Sequence, residues 1–177
     1  SFDYSEADLV IEQRPEIDRW VLSKLNSLVK NVDEAFTNFE PTRAGRLIQE
    51  FVGDQLSNWY VRLCRRRYWK EASMEAEKTD KLSAYQTLYT CLETVSILAS
   101  PIAPFFMDQL FYDLNAVSNK HSLESVHLAD FPEVNEEFIN LELEAQMNIA
   151  QRTTSLVLGL RKKENIRVRQ PLQKIMV

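Results

Sequence analysis

Residues 16–39 read EIDRWVLSKLNSLVKNVDEAFTNF, and in them Ile17, Val21, Leu25, Leu28, Val32, Phe36 and Phe39 recur at steps of three and four. That spacing winds the large apolar side chains onto one stripe of an α-helix. Pro15 stands where a helix tolerates it, at the first turn. A second helix opens after Pro41, puts Ile48, Val52, Leu56, Trp59 and Leu63 on its buried face, and continues to about Lys70. A third carries Leu82, Tyr85, Tyr89, Leu92, Val95 and Ala99 until Pro101 and Pro104 check it, after which FFMDQLFYDL (105–114) forms a shorter one.

Between these helices the pattern loosens. KEASMEAEKTD (70–80) reads as a charged, exposed connection with Thr79 or Asp80 available as a cap. Residues 115–132 have no helical period and read as loop, with a short strand expected at SVHLA (125–129). The last long helix is expected from about Glu133, behind Glu133, Glu136 and Glu137, to Glu164. IRVRQ (166–170) alternates with period two before Pro171, which predicts a strand. The fold class is therefore all-α, an antiparallel helical bundle with a short C-terminal strand segment. The chain opens on Ser1 and closes on LQKIMV, apolar residues suited to entering a strand. A segment of a longer protein is expected: residues 1–14 ending a preceding region, 15–164 a helical domain, 165–177 beginning the next.

Composition narrows the chemistry. Three glycines in 177 residues leave nothing for a glycine-rich phosphate loop and favour long helices with few tight corners. Cys64 and Cys91 show no CxxC spacing and are read as buried free thiols, with a disulfide as the alternative. His121 and His127 lack further ligands at metal-site spacing, and no nucleophile elbow presents Ser125 to His127 and Asp130. EVNEEFINLELE (133–144) is most simply a solvated acidic face. No apolar run is long enough to span a bilayer. No residue is read as catalytic or metal-ligating.

What stands out is charge. The chain carries a formal net charge of -5, yet 11 of its 21 Lys and Arg residues fall in two short windows. NWYVRLCRRRYWK (58–70) holds Arg62, Arg65, Arg66, Arg67 and Lys70 beside four rings; the second window holds Arg161, Lys162, Lys163, Arg167, Arg169 and Lys174. A polyanion meets the local patch rather than the net charge. At about 100° per residue, Asn58, Arg62, Arg65 and Trp69 share one helix stripe, and the buried stripe beyond Leu63 runs onto Arg66 and Lys70. Guanidinium groups fork onto phosphate, and both arginine and aromatic rings stack on unpaired bases. The alternative is structural: these arginines pair with the acids of 133–144 across the bundle.

The stretch SNWYVRLCRRRYWK (57–70) resembles the helix that follows the catalytic body in the isoleucyl-tRNA synthetase family of class I. EIDRWVLSKLNSLV before it, then LASPIAPFFMDQLFYDL, ESVHLADFP and VRQPL after it, agree in order. The resemblance implies a helical anticodon-binding domain whose partners are tRNA and the catalytic body of the same polypeptide, in the cytoplasm, with no membrane. It implies Arg62, Arg65, Arg66 and Arg67 on phosphates, Asn58, Tyr68 and Trp69 on bases or sugars, Lys70 beside them, and Lys162, Lys163, Arg167 and Arg169 as a weaker second surface. The family's ATP and Mg belong to HIGH- and KMSKS-type signatures, which are absent from this chain, and the zinc of some members belongs near their C-terminus. The competing expectation is a protein-docking module that uses the same arginine stripe.

Overall fold

The computed structural model describes residues 7–71 and 73–174. Its first six residues and 175–177, the end of LQKIMV, lie outside that description. Among the described residues every regular element is helical. They form two compact units, the first ending at Asn140 and the second beginning at Leu141.

In the first unit, α1 (Glu16–Thr37) starts on Pro15 as its spacing requires and buries Trp20, Val21, Leu25, Leu28, Val29, Val32 and Ala35. It stops in a Schellman turn. Glu40 N–H donates to the Ala35 carbonyl at 2.8 Å and Phe39 N–H to that of Phe36 at 3.0 Å. Phe39 therefore occupies the left-handed slot usually given to Gly or Asn, with φ 58°. Its side chain is thrown outward, 92% exposed, instead of closing the apolar stripe. Phe36 packs edge-on against Phe131.

The second predicted helix is continuous from Pro41 to Trp69, but it is not one α-helix. α2 (Pro41–Glu50) passes into a π-helical stretch, Phe51–Val61, and then into α3 (Arg62–Trp69). A π turn reaches five residues back rather than four, so the buried row steps by five, four and four through Phe51, Leu56, Tyr60 and Cys64. This corrects the α-periodic stripe. Of its members beyond Ile48 only Leu56 is fully buried, while Val52 and Leu63 face solvent.

α4 (Glu75–Ala99) packs against α1, α2, α3 and α5 (Pro104–Ser118). Crowded on most sides, it buries polar Ser83, Gln86, Thr87, Glu93 and Ser96 as well as Ala84, Cys91 and Leu98. It begins ahead of Thr79 and Asp80, which lie inside it. The N-terminal segment is clasped onto α4: the Arg14 guanidinium donates to Thr87 Oγ1 at 2.8 Å and to the Leu9 carbonyl at 3.1 Å. Cys64 and Cys91 are free and buried.

SVHLA is not a strand. Asp108 on α5 accepts from Ser125 Oγ at 2.7 Å and Val126 N–H at 2.9 Å, folding Val126–Leu128 into a 3₁₀ turn with Val126 buried. Nor does a helix start at Glu133. Asn26 and Ser23, buried on α1, capture the N–H groups of Asn135 (2.9 Å) and Asn140 (2.8 Å), so 133–140 runs irregularly along α1 with one 3₁₀ turn, Glu136–Phe138.

The second unit is α6 (Leu141–Lys163) and the segment after it. α6 also ends in a Schellman turn, with Asn165 at φ 54° and Ile166 N–H on the Arg161 carbonyl at 2.8 Å. IRVRQ then forms turns, correcting the predicted strand. Arg161 Nη1 donates to the carbonyls of Arg167 (2.8 Å) and Gln170 (2.9 Å), and no partner strand exists among the described residues.

Candidate nucleic-acid interface

The switch from π to α geometry at Arg62 decides which residues of the cationic run look outward. Asn58, Arg62, Arg65, Arg66 and Trp69 are exposed, the indole of Trp69 at 79%. No ion pair among the described residues holds Arg62, Arg65 or Arg66. Their charges are therefore available, and the alternative pairing with the acids of 133–144 is not seen for them among the described residues.

Arg67 is different. Its side chain is only 15% exposed, and it points into the bundle. Nη1 lies 2.6 Å from Asp18 Oδ1 and Nη2 lies 2.8 Å from Oδ2, a two-pronged pairing; Nε reaches Asp80 Oδ2 at 3.1 Å and Nη2 also reaches the Asp80 carbonyl at 2.9 Å. Burial on its own would lower the guanidinium pKa, but the Asp18 carboxylate outweighs it and the net shift is upward. The same carboxylate, wholly buried, accepts from Tyr60 Oη at 2.8 Å and from Ser83 Oγ. This places Arg67 in the interior and corrects the expectation of a fourth outward arginine. The reason is that α1 offers a buried acid 49 positions away. Tyr68 also turns inward, edge-on to Tyr85 with ring centroids 5.2 Å apart, and burial raises its hydroxyl pKa.

Lys70 ends the row. It pairs with Glu77 on α4, and that hydrogen bond, helped by Ser73 N–H, holds the Glu77 carboxyl down at about 2. Behind Lys70 a cleft of about 250 Å³ opens between α3 and α4, lined by Arg66, Arg67, Lys70, Ala76, Glu77, Asp80 and Lys81. Lys70 is matched by Glu77 and Arg67 by Asp18 and Asp80, which leaves Arg66 and Lys81 as the lining cations without an acidic partner among the described residues. Lys81 Nζ donates to the Lys70 carbonyl at 3.1 Å. The sequence reading missed Lys81, since a single lysine inside a mixed-charge helix carries no signal until α4 is laid beside α3.

The second window lies in the other unit. Lys162, Lys163, Arg167 and Arg169 are exposed there, while Arg161 is committed to backbone carbonyls. Among the described residues no group of three His, Cys, Asp or Glu could hold a metal ion, and no helix is long and apolar enough to cross a membrane.

In the first unit these residues give an all-α fold an outward cationic face that ends in an exposed indole. The chain belongs to the family of anticodon-binding domains of tRNA ligases, whose model matches residues 18–176. It is 59% identical over 177 residues to an isoleucine–tRNA ligase of Cytophaga hutchinsonii and 60% identical over 176 residues to one of Bacteroides fragilis. An isoleucine–tRNA ligase of Dehalococcoides mccartyi is 46% identical over 163 residues. These alignments cover 100%, 99% and 92% of this chain, but only 16%, 15% and 16% of the relatives.

Proposed function

We propose that this chain is the tRNA-binding domain of an isoleucine–tRNA ligase and that α3 meets the anticodon stem-loop. The observation that carries this is the outward row of Arg62, Arg65 and Arg66, which has no ion-pair partner among the described residues and ends at Trp69. The arginines position the RNA through phosphates, which carry no sequence information, while Trp69 and Asn58 are placed to touch bases or sugars. Lys81 joins Arg66 in the cleft as a further phosphate contact. Arg67, Tyr68 and the neutralised Lys70 shape this face rather than touch RNA. Lys162, Lys163, Arg167 and Arg169 form a second surface for the same polyanion.

The family's ATP signatures, of HIGH and KMSKS type, are absent from this sequence. ATP-dependent attachment of isoleucine to tRNA, in the cytoplasm, is assigned to the rest of a polypeptide of the relatives' length, about six times that of this chain. Within that polypeptide this domain contributes binding energy far from the reacting ester.

The test is a titration of the chain and of an Arg62→Ala/Arg66→Ala variant against isoleucine tRNA and the same RNA with a swapped anticodon, at several salt concentrations. The reading expects a cognate preference in the wild type and a salt slope shallower by roughly one unit or more in the variant. Equal, weak binding of both RNAs by both proteins would instead assign the arginine row to a protein partner.

A further inference from the structure

The π-helical stretch and the buried Asp18 belong together. A π turn is uncommon in proteins and occurs mostly as single turns, frequently at functional sites; here it persists through eleven residues, Phe51–Val61. Everything after it is rotated accordingly. Were the stretch to tighten to α geometry, α3 would turn about its own axis, carrying Arg62, Arg65, Arg66 and Trp69 to new bearings.

Two kinds of contact oppose that turn. The apolar row of Phe51, Leu56, Tyr60 and Cys64 is buried in the π register. The polar contact is more directional. A single carboxylate, Asp18 on α1, accepts from Tyr60 at the end of the π stretch, from both prongs of Arg67 on α3 and from Ser83 on α4. Tyr60 and Arg67 are seven residues apart, about two α-helical turns, so they present one face to Asp18, and turning that end of the helix about its axis would carry both away from the acceptor. An apolar row tolerates a small rotation; a two-pronged guanidinium–carboxylate pair does not.

We infer that Asp18 and Arg67 are positioning residues which lock the register of the π stretch and so aim the outward arginines and Trp69 at the RNA. This rests on the RNA-binding reading above, but it assigns Arg67 a part that needs no contact with RNA. It also makes a prediction opposite in sign to direct contact. If Arg67 touched phosphate, Asp18→Asn would remove a competing acid and strengthen binding.

The experiment compares wild type with Asp18→Asn, Arg67→Lys and the isosteric Tyr60→Phe, at a temperature where melting curves show each folded. Asp18→Asn turns an N–H₂ group toward donors in place of an acceptor oxygen, and Arg67→Lys keeps the charge without the fork. Binding to isoleucine tRNA and to the swapped-anticodon RNA is read separately. The expected result is a loss of cognate preference of about tenfold (~1.4 kcal/mol) in Asp18→Asn and Arg67→Lys. Tyr60→Phe should lose less, and affinity for the swapped RNA should hold within about twofold, because the outward charges remain. Folded variants that keep the wild-type preference, or an Asp18→Asn protein that binds both RNAs more tightly, overturn the inference. Should Asp18→Asn not fold, Tyr60→Phe decides it: an unchanged preference there overturns it too. A wild type without any cognate preference is a separate outcome, which removes the RNA reading and this inference with it.

Discussion

Arg67 and Asp18, 49 positions apart, face each other through two parallel hydrogen bonds of 2.6 and 2.8 Å, while Arg66, the next residue back, has no ion-pair partner among the described residues. Adjacent members of one arginine run thus do opposite work, one inside the bundle and one outside it.

That contrast is measurable as stability. Arg67→Ala leaves a fully buried carboxylate without its cation, which should cost about 3 kcal/mol or more. Arg66→Ala removes an exposed side chain and should change stability by no more than about 0.5 kcal/mol. Urea or guanidinium unfolding of the two variants beside wild type checks both values. Similar losses in the two would refute the division.

Trp69 is 79% exposed at the end of α3, so its ring contributes little to the core. Trp69→Ala should melt within a degree or two of wild type yet lose roughly 1–3 kcal/mol of RNA affinity, the scale of one base stacked on an aromatic ring. Unaltered affinity would show that the indole does not touch RNA.

Glu77 supplies a signature in acid. Its carboxyl is held at about 2, below an ordinary 4.5, chiefly by the hydrogen bond from Lys70 and then by Ser73 N–H. A lowered folded-state pKa stabilises the protein fully above the unfolded value, and that stability is lost as pH falls through the folded value. Between pH 4.5 and 2, wild type should therefore lose more stability than Glu77→Gln, the two curves converging at the acid end. Parallel curves across this window would remove the Lys70–Glu77 contact from the account.

Cys64 and Cys91 should be silent to thiol reagents in the folded chain. Burial raises the pKa of each, against a smaller opposing effect of Arg67 at Cys64 and of Arg14 at Cys91, and the thiolate is the reactive form. Alkylation followed by mass spectrometry near pH 8 should find both unmodified until denaturant is added. Rapid labelling of Cys64 alone would mean that α3 lifts off α1 and α4.

Much of this molecule can be read from residues close together in the chain. The three- and four-residue spacing of α1, the breaks at Pro101 and Pro104, the thiols without a metal-like spacing, and the cationic run that ends at Trp69 are all short-range properties. The backbone follows them because helix periodicity and proline act within a turn or two. Five outward candidates, Asn58, Arg62, Arg65, Arg66 and Trp69, were legible on the same grounds.

The tertiary structure decided the remainder, because the deciding partners are remote. Asp18 draws Arg67 inward, and Asn26 and Ser23 take backbone N–H groups 109 and 117 positions away, keeping 133–140 from becoming helix. The phase of Phe51–Val61 is set by which side chains α1 can bury against it. Local pattern determined where helices form and where charge gathers; only packing determined which way the charge points, since burying a carboxylate requires its cation to follow.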